Sequence, residues 1–166
     1  ETPWGAMQYL RAADEAGLSR IISIQNPYNL LNRSFEVGLA EVACREKVGL
    51  LAYSPLAVGV LSGKYLQNKQ PEQSRLSLFA HYTRYSNHYG KLATEAYIRV
   101  AEKYELNPAQ MALAFIRQQQ IVSATIIGAT TMHQLAENIA SCEVKLISEC
   151  MADIDSVFQQ YPNPCP

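Results

Sequence analysis

Three short clusters in this chain have residue types suited to holding a flat, phosphate-bearing ligand. Gln25-Asn26 supplies side-chain amides. Tyr53-Ser54-Pro55-Leu56 supplies an aromatic ring. Gly128-Ala129-Thr130-Thr131 supplies a glycine followed by hydroxyls at what reads as a helix start. An amide can pair with another amide, and a tyrosine ring can stack on a flat heterocycle. A helix N-terminus approached through glycine binds phosphate, because its unpaired N–H groups and dipole point at the anion. Each cluster follows an apolar run, and in parallel α/β proteins working residues gather where strands end. Together they imply a cofactor such as a nicotinamide dinucleotide. Each also has a plain structural reading: a turn, a strand terminator and a capped helix start. No G-x-G-x-x-G is present, so the usual dinucleotide fingerprint is absent.

The elements that must position these clusters alternate. Thr2 as N-cap and Pro3 as first helical residue open a helix, with Trp4, Met7, Leu10 and Ala13 on one face and Gly17 as the stop. Ile21-Ile22-Ser23-Ile24 reads as a strand broken at Pro27. Ser34 is placed to cap a second helix, with Phe35, Leu39, Val42 and Ala43 or Cys44 near its buried face. Val48 to Tyr53 is the next strand, cut at Ser54-Pro55. Helices are expected over 91–104 (Leu92, Ala96, Val100) and over 108–119, the latter capped by Asn107. Ala124 to Ile127 is a third strand ending at Gly128. Thr131 and Gln134 fit a capping box. A last helix over 148–161 turns Met151, Ile154, Val157 and Phe158 inward. The strands are continuously apolar, as in a parallel sheet covered on both faces. The class is α/β.

With 166 residues and a net charge of -1, the chain is expected to form one domain, too short for a complete (β/α)8 barrel of about 250 residues. No stretch approaches the ~18 apolar residues of a membrane span, so no membrane insertion is expected. The charge is uneven. Residues 62–91 hold Lys64, Lys69, Arg75, Arg84 and Lys91 against Glu72 alone, so this loop carries +4 and the remainder -5. A basic flap beside a phosphate-ready helix start attracts an anionic ligand, although a solvated basic loop has the same composition. Tyr82, Tyr85 and Tyr89 interleave with these cations and weakly suggest a nucleic-acid surface. The overall charge argues against that, and no nucleic acid partner is expected. His81 and His88 lack ligands at metal spacing, and no metal site is expected. Cys44, Cys142, Cys150 and Cys165 form no C-x-x-C pair and fit free thiols in a reducing cytoplasm. The opening Glu1-Thr2-Pro3-Trp4, without an initiator Met, reads as an excised fragment or an internal start.

Longer motifs carry a resemblance. Residues 23–31 (SIQNPYNLL), 51–65 (LAYSPLAVGVLSGKY), 127–131 (IGATT) and 134–138 (QLAEN) resemble, in order and spacing, the aldo-keto reductase family. The similarity is strongest to its branch of bacterial aldo-keto reductases and potassium-channel β subunits. The resemblance implies that this chain is the C-terminal part of a (β/α)8 TIM barrel, strands 6–8 with their helices, forming one partial domain over 1–166. It implies that Gln25 bonds the nicotinamide carboxamide and Tyr53 stacks on the ring. Ser54, Pro55, Leu56, Ala57 and Val58 would follow the pyrophosphate, and Lys64 would bond a phosphate. Arg75 would lie at the adenosine side. Gly128, Thr130 and Gln134 would hold the 2′-phosphoribose, and Glu137 and Asn138 the adenine. Loop 62–91 would cover the cofactor.

The implied cofactor is NADP(H) rather than NAD(H), although Gly128 and Gln134 stand where many members carry Lys and Arg. The family's Tyr, Lys, Asp and His for carbonyl reduction lie on earlier strands, and none is present here in its motif. The expectation is a cofactor-binding half with no catalytic residue of its own. It would be inactive toward carbonyls alone and prone to self-association or to pairing with a complementary chain. The alternative is a nicotinamide-binding regulatory subunit of the channel β type.

Overall fold

Thr2 caps the first helix, its hydroxyl accepting the Gly5 N–H at 3.0 Å, and Pro3 occupies the first helical position. Helix α1 (Pro3–Ala16) ends at Gly17, which closes it in the left-handed region. It is followed by β1 (Ser23–Pro27), α2 (Leu39–Glu46), β2 (Gly49–Tyr53), a short α3 (Arg75–Leu78), α4 (His88–Lys103), α5 (Pro108–Arg117), β3 (Val122–Thr125), α6 (Met132–Ala140) and α7 (Ser148–Gln160). The computed structural model describes residues 1–72, 74–79 and 81–166; Gln73 and Ala80 of the long loop lie outside the described residues. The three strands form one parallel sheet in the order β1-β2-β3. This is the alternating α/β arrangement expected from the sequence.

Several expectations are corrected. β1 begins later than the apolar run and extends through Gln25, Asn26 and Pro27, with Pro27 opposite Tyr53. Proline is tolerated there because β1 is an edge strand and needs no N–H toward a further neighbour. β3 lies two residues earlier than expected, although the Ile126 N–H still reaches the Ala52 carbonyl at 2.8 Å. Ser34 does not cap α2. It opens a 3₁₀ turn (Ser34–Glu36) and donates to Asn32 Oδ1 at 2.6 Å, while Gly38 precedes the helix. Cys44 is exposed and Ala43 is buried. Helix α4 starts three residues earlier than expected, because Asn87 accepts the Gly90 N–H. In α1, Ala6, Leu10 and Ala13 are buried but Trp4 (74% exposed) and Met7 are not. In α7, Ile154 and Val157 are buried with Cys150, whereas Met151 and Phe158 are half-buried.

The sheet is covered on one face only. Ile24, Leu50 and Ala52 are buried, whereas Gln25 and Ser123 are exposed and Leu51 and Tyr53 half-buried. Side chains alternate across a strand, so Gln25, Leu51 and Tyr53 share the open face. The covered face carries the core: Tyr28, Leu30, Leu31, Phe35, Phe115, Ile116 and Ile154 are fully buried. All four cysteines are free, and no helix of the described residues is long and apolar enough to cross a membrane.

Arg33 ties this core together. Its side chain is only 11% exposed. The guanidinium grips Glu36 at 2.7 and 2.9 Å and Asp155 at 2.7 Å. It lies 5.0 Å from the Phe115 ring centroid and 4.2 Å from that of Phe158. Tyr28 donates to Glu36 Oε1 at 2.6 Å. One side chain thus joins the loop after β1 to α5 and α7. Burial and the Glu36 carboxylate hold the Tyr28 hydroxyl protonated well above the ordinary tyrosine range. Nearby, the buried Tyr97 hydroxyl has no hydrogen-bond partner among the described residues. Arg33→Met is expected to cost about 3 kcal/mol, because it strands the Glu36 carboxylate beside the core. Asp155→Asn, nearer solvent, is expected to cost under about 1 kcal/mol. Tyr97→Phe is expected to be neutral or stabilising by up to about 1 kcal/mol. Urea unfolding of the three variants checks the ranking, and a Tyr97→Phe loss above about 2 kcal/mol contradicts the unpaired hydroxyl.

Candidate cofactor-binding site

The middle strand leaves the sheet through a strained segment. Ser54 (φ 53), Ala57 (φ 49), Val58 (φ 52) and Gly59 (φ 91) all take positive φ. Positive φ is a genuine outlier for a β-branched residue such as Val58. Strain of this kind persists only where the surroundings over-determine it, and it gathers at ligand sites. Here Ala57 is fully buried, with Val60 and Leu61 in the core. The Ala57 and Gly59 N–H groups bond the Ser54 and Leu56 carbonyls, each at 2.9 Å. Among the described residues, the N–H groups of Leu56 and Val58 donate to no turn or loop carbonyl. Alternating helical and left-handed residues with free N–H groups make a concavity that binds anions.

Lys64 folds back over this turn. A Cβ on Gly59 would stand 2.8 Å from Lys64 Cε and 2.9 Å from Nζ. Only glycine leaves room for the ammonium at that backbone. The ammonium also lies 5.1 Å from the centroid of the Tyr65 ring. The Tyr65 hydroxyl accepts the Leu76 N–H at 3.4 Å, which draws α3 toward the same turn. Arg75, at the start of α3, lies 5.6 Å from the centroid of the Tyr82 ring. The structure therefore gathers Tyr53, Ser54, Pro55, Leu56, Ala57, Val58 and Lys64 on one turn, with Arg75 on the neighbouring helix. Gln25 stands on the same open sheet face as Tyr53.

A second group lies at the start of α6. Thr131 is the N-cap and accepts the Gln134 N–H at 3.2 Å. The Gln134 side chain reaches back one residue further than a capping box requires. Its Oε1 accepts from the Thr130 N–H and hydroxyl, both at 3.0 Å. Glu137 receives Asn107 at 3.4 Å and pairs with His133 at 3.3 Å. Asn138 is buried and donates to the Gly128 carbonyl at 3.5 Å. Nothing lies within 4 Å of a Cβ on Gly128, so the approach to this helix start is open.

A profile of the aldo/keto reductase family matches residues 1–159. The chain belongs to the aldo/keto reductase family. It is 52% identical over 166 residues to "Protein tas" of Escherichia coli (strain K12), covering 100% of this chain and 48% of that protein. It is 38% identical over 146 residues to an "Aldo-keto reductase" of Babesia bovis, covering 84% of the chain and 51% of that protein. It is 31% identical over 175 residues to a "Putative voltage-gated potassium channel subunit beta" of Schizosaccharomyces pombe, covering 96% of the chain and 49% of that protein. The chain spans about half the length of the curated relatives it matches. Aldo/keto reductases are oxidoreductases on a (β/α)8 barrel that typically use nicotinamide cofactors, and the three-stranded parallel sheet is consistent with part of such a barrel.

Beside the family's motifs lie residues whose roles the sequence does not reveal. Asn29 is fully buried, and its Nδ2 donates both to the Ser54 carbonyl at 2.9 Å and to the Tyr85 hydroxyl at 3.1 Å. Tyr85 is 4% exposed and belongs to the core, not to an aromatic-basic surface. Arg84, the residue before it, is exposed. The chain's last residues strap the same loop. Asn87 Nδ2 donates to the Pro164 carbonyl at 2.8 Å, and the Cys165 N–H donates to the Leu31 carbonyl at 3.1 Å. Cys165 is 1% exposed, and a Cβ on Gly90 would come within 2.7 Å of its sulfur. The advance signal in the sequence is Asn87 three residues before Gly90, the spacing of a helix cap.

Burial pushes the Cys165 thiol up to about 11, opposed by the Asn87 amide. At pH 8, Cys44 and Cys142 are expected to react with a thiol reagent while Cys165 stays protected. Asn87→Ala is expected to expose it. Labelling of each thiol followed by peptide mass analysis checks this, and Cys165 reacting as fast as Cys44 in the native chain contradicts the docked tail.

Proposed function

We propose that this chain is the cofactor-binding part of an NADP(H)-dependent aldo-keto reductase, corresponding to strands 6–8 of the barrel, with loop 62–91 covering the cofactor. The observation that carries the reading is the strained turn 54–59 with the Lys64 ammonium laid over Gly59. Free N–H groups and a cation at one backbone turn suit a pyrophosphate. Gln25 would bond the carboxamide and Tyr53 would stack on the nicotinamide. Gly128, Thr130, Gln134, Glu137 and Asn138 would hold the adenosine end. The Gln134 carbonyl oxygen engages both Thr130 donors, so a 2′-phosphate is met by neutral groups there. NADP(H) over NAD(H) then rests on Lys64, Arg75 and Thr130.

When bound, the cofactor supplies a hydride for an aldehyde or ketone. The chain's residues hold and orient it. Proton delivery to a carbonyl oxygen needs a tyrosine whose pKa is lowered toward neutrality by a lysine. The buried Tyr28, Tyr85 and Tyr97 have the opposite shift, each raised first by burial. Every lysine is exposed or half-buried. The chain alone is therefore proposed to bind cofactor without reducing carbonyls.

The similarity to a channel β subunit over 96% of the chain favours a second reading, a nicotinamide-binding regulatory subunit. Capture of a channel cytoplasmic domain, with no carbonyl reduction by any assembled form, would distinguish it.

NADPH titration followed by protein-to-nicotinamide energy transfer is expected to saturate in the micromolar range. Lys64→Met is expected to weaken binding about tenfold, close to 1.4 kcal/mol. No NADPH oxidation with 4-nitrobenzaldehyde is expected above background. Absence of energy transfer through millimolar NADPH sinks the cofactor reading, and turnover by the 166-residue chain sinks the division of labour.

A further inference from the structure

Across residues 81–89, Tyr85 alone is buried, and its neighbours on both sides are exposed. A single aromatic side chain therefore anchors this end of the basic loop. Its hydroxyl accepts a buried hydrogen bond from Asn29 Nδ2 at 3.1 Å. The same nitrogen donates to the Ser54 carbonyl at 2.9 Å. Ser54 is the first residue of the strained turn, with φ 53.

The Asn29 amide is held from its other end. Its Oδ1 accepts the Leu31 N–H at 2.9 Å, and its backbone pairs with that of Asn32 in both directions, at 3.0 and 2.9 Å. That leaves Nδ2 facing the turn. An amide nitrogen carries two N–H groups. One goes to the turn and the other to the loop, and Asn29 is fully buried. The Ser54 carbonyl also accepts the Ala57 N–H at 2.9 Å, so its direction sets the first bond of the turn.

We propose that Tyr85 is a positioning residue for the turn 54–59: its hydroxyl keeps the Asn29 amide on the Ser54 carbonyl, so that docking of the basic loop and grip on a phosphate at the turn favour each other. This rests on the reading of that turn, with Lys64, as the pyrophosphate seat. Removing the hydroxyl leaves one Asn29 N–H buried without an acceptor, which is costly. The amide then turns toward another acceptor or admits water, and the Ser54 carbonyl loses its outer restraint. Tyr85 and Lys64 act on one turn, so their effects on a phosphate ligand are not independent. The linkage is reciprocal: a ligand that favours the ordered turn favours the docked loop by the same factor.

The test is NADPH binding to the chain, to Tyr85→Phe, to Lys64→Met and to the double variant. A second ligand, 2′,5′-ADP, lacks the pyrophosphate. Trypsin cleavage after the exposed Arg84 reports on the loop. Tyr85→Phe keeps the ring, and it is expected to weaken NADPH about fivefold. Binding of 2′,5′-ADP is expected to stay within about twofold, which damage to the fold could not leave untouched. Lys64→Met alone is expected to cost about tenfold, and the double variant about fifteenfold rather than the roughly fiftyfold of independent effects. Saturating NADPH is expected to slow cleavage after Arg84 about fivefold in the wild-type chain and under about twofold in Tyr85→Phe. If the wild-type chain binds NADPH and Tyr85→Phe binds it equally well, the proposal is overturned and the cofactor reading stands. Independent effects in the double variant, equal protection of the loop in both chains, or a parallel loss of 2′,5′-ADP binding overturn it in the same way. A wild-type chain that binds no NADPH overturns the cofactor reading and this proposal together.

Discussion

Taking the Arg33 guanidinium out of water costs several kcal/mol, and that cost is offset only if nearly every N–H finds an acceptor. Glu36, Asp155 and two aromatic faces supply that environment. The geometry is restrictive. Glu36 comes from the loop after β1, Phe115 from α5, and Asp155 and Phe158 from α7, so the cation is satisfied only when all three are docked. The Arg33 N–H also donates to Asn163 at 2.7 Å, which places the tail. The tail then holds Asn87, and Asn87 holds the Arg84 carbonyl. The loop beside the candidate site thus inherits its position from a buried cation on the helix-covered side of the sheet.

The turn after β2 depends on that framework. Four residues at positive φ, three of them not glycine, are costly on the order of 1–3 kcal/mol each. Nothing local repays this. What holds the turn is burial of Ala57, Val60 and Leu61 and the Asn29 amide on the Ser54 carbonyl. Asn29 is in turn fixed by its own loop, its Oδ1 accepting the Leu31 N–H at 2.9 Å. Moving any of these would let the turn relax to ordinary φ.

Local signals were legible in the sequence and distant ones were not. Thr2, Asn107 and Thr131 cap helices as their spacing predicts, because a cap is decided within three residues. The parallel sheet followed from apolar runs alternating with helical periods. Ser34 misled because its hydroxyl prefers the neighbouring Asn32 amide to the helix it precedes. Trp4 and Met7 misled because periodicity identifies an apolar stripe without saying how much of it is covered. Of the site, the strand-end clusters were readable from residue type. Asn29, Tyr85 and the tail were not, since their partners lie 56, 77 and 130 residues away.

The open sheet face separates binding from catalysis in physical terms. Grip on phosphates needs only backbone N–H groups, a lysine and a helix start, and a single covered layer of core can position all of these. On the proposed reading, proton transfer needs a tyrosine beside a fixed positive charge, because such a charge lowers a phenol's pKa whereas burial alone raises it. The bare sheet face offers no dry pocket: water reaches Gln25 and Tyr53, while the buried phenols Tyr28 and Tyr97 have their pKa driven upward by burial. On that reading, a partner covering the bare face would do two things at once, burying Leu51 beside Tyr53 and drying the place where a carbonyl would meet the nicotinamide. On the proposed reading, closing the barrel and completing the chemistry are one event.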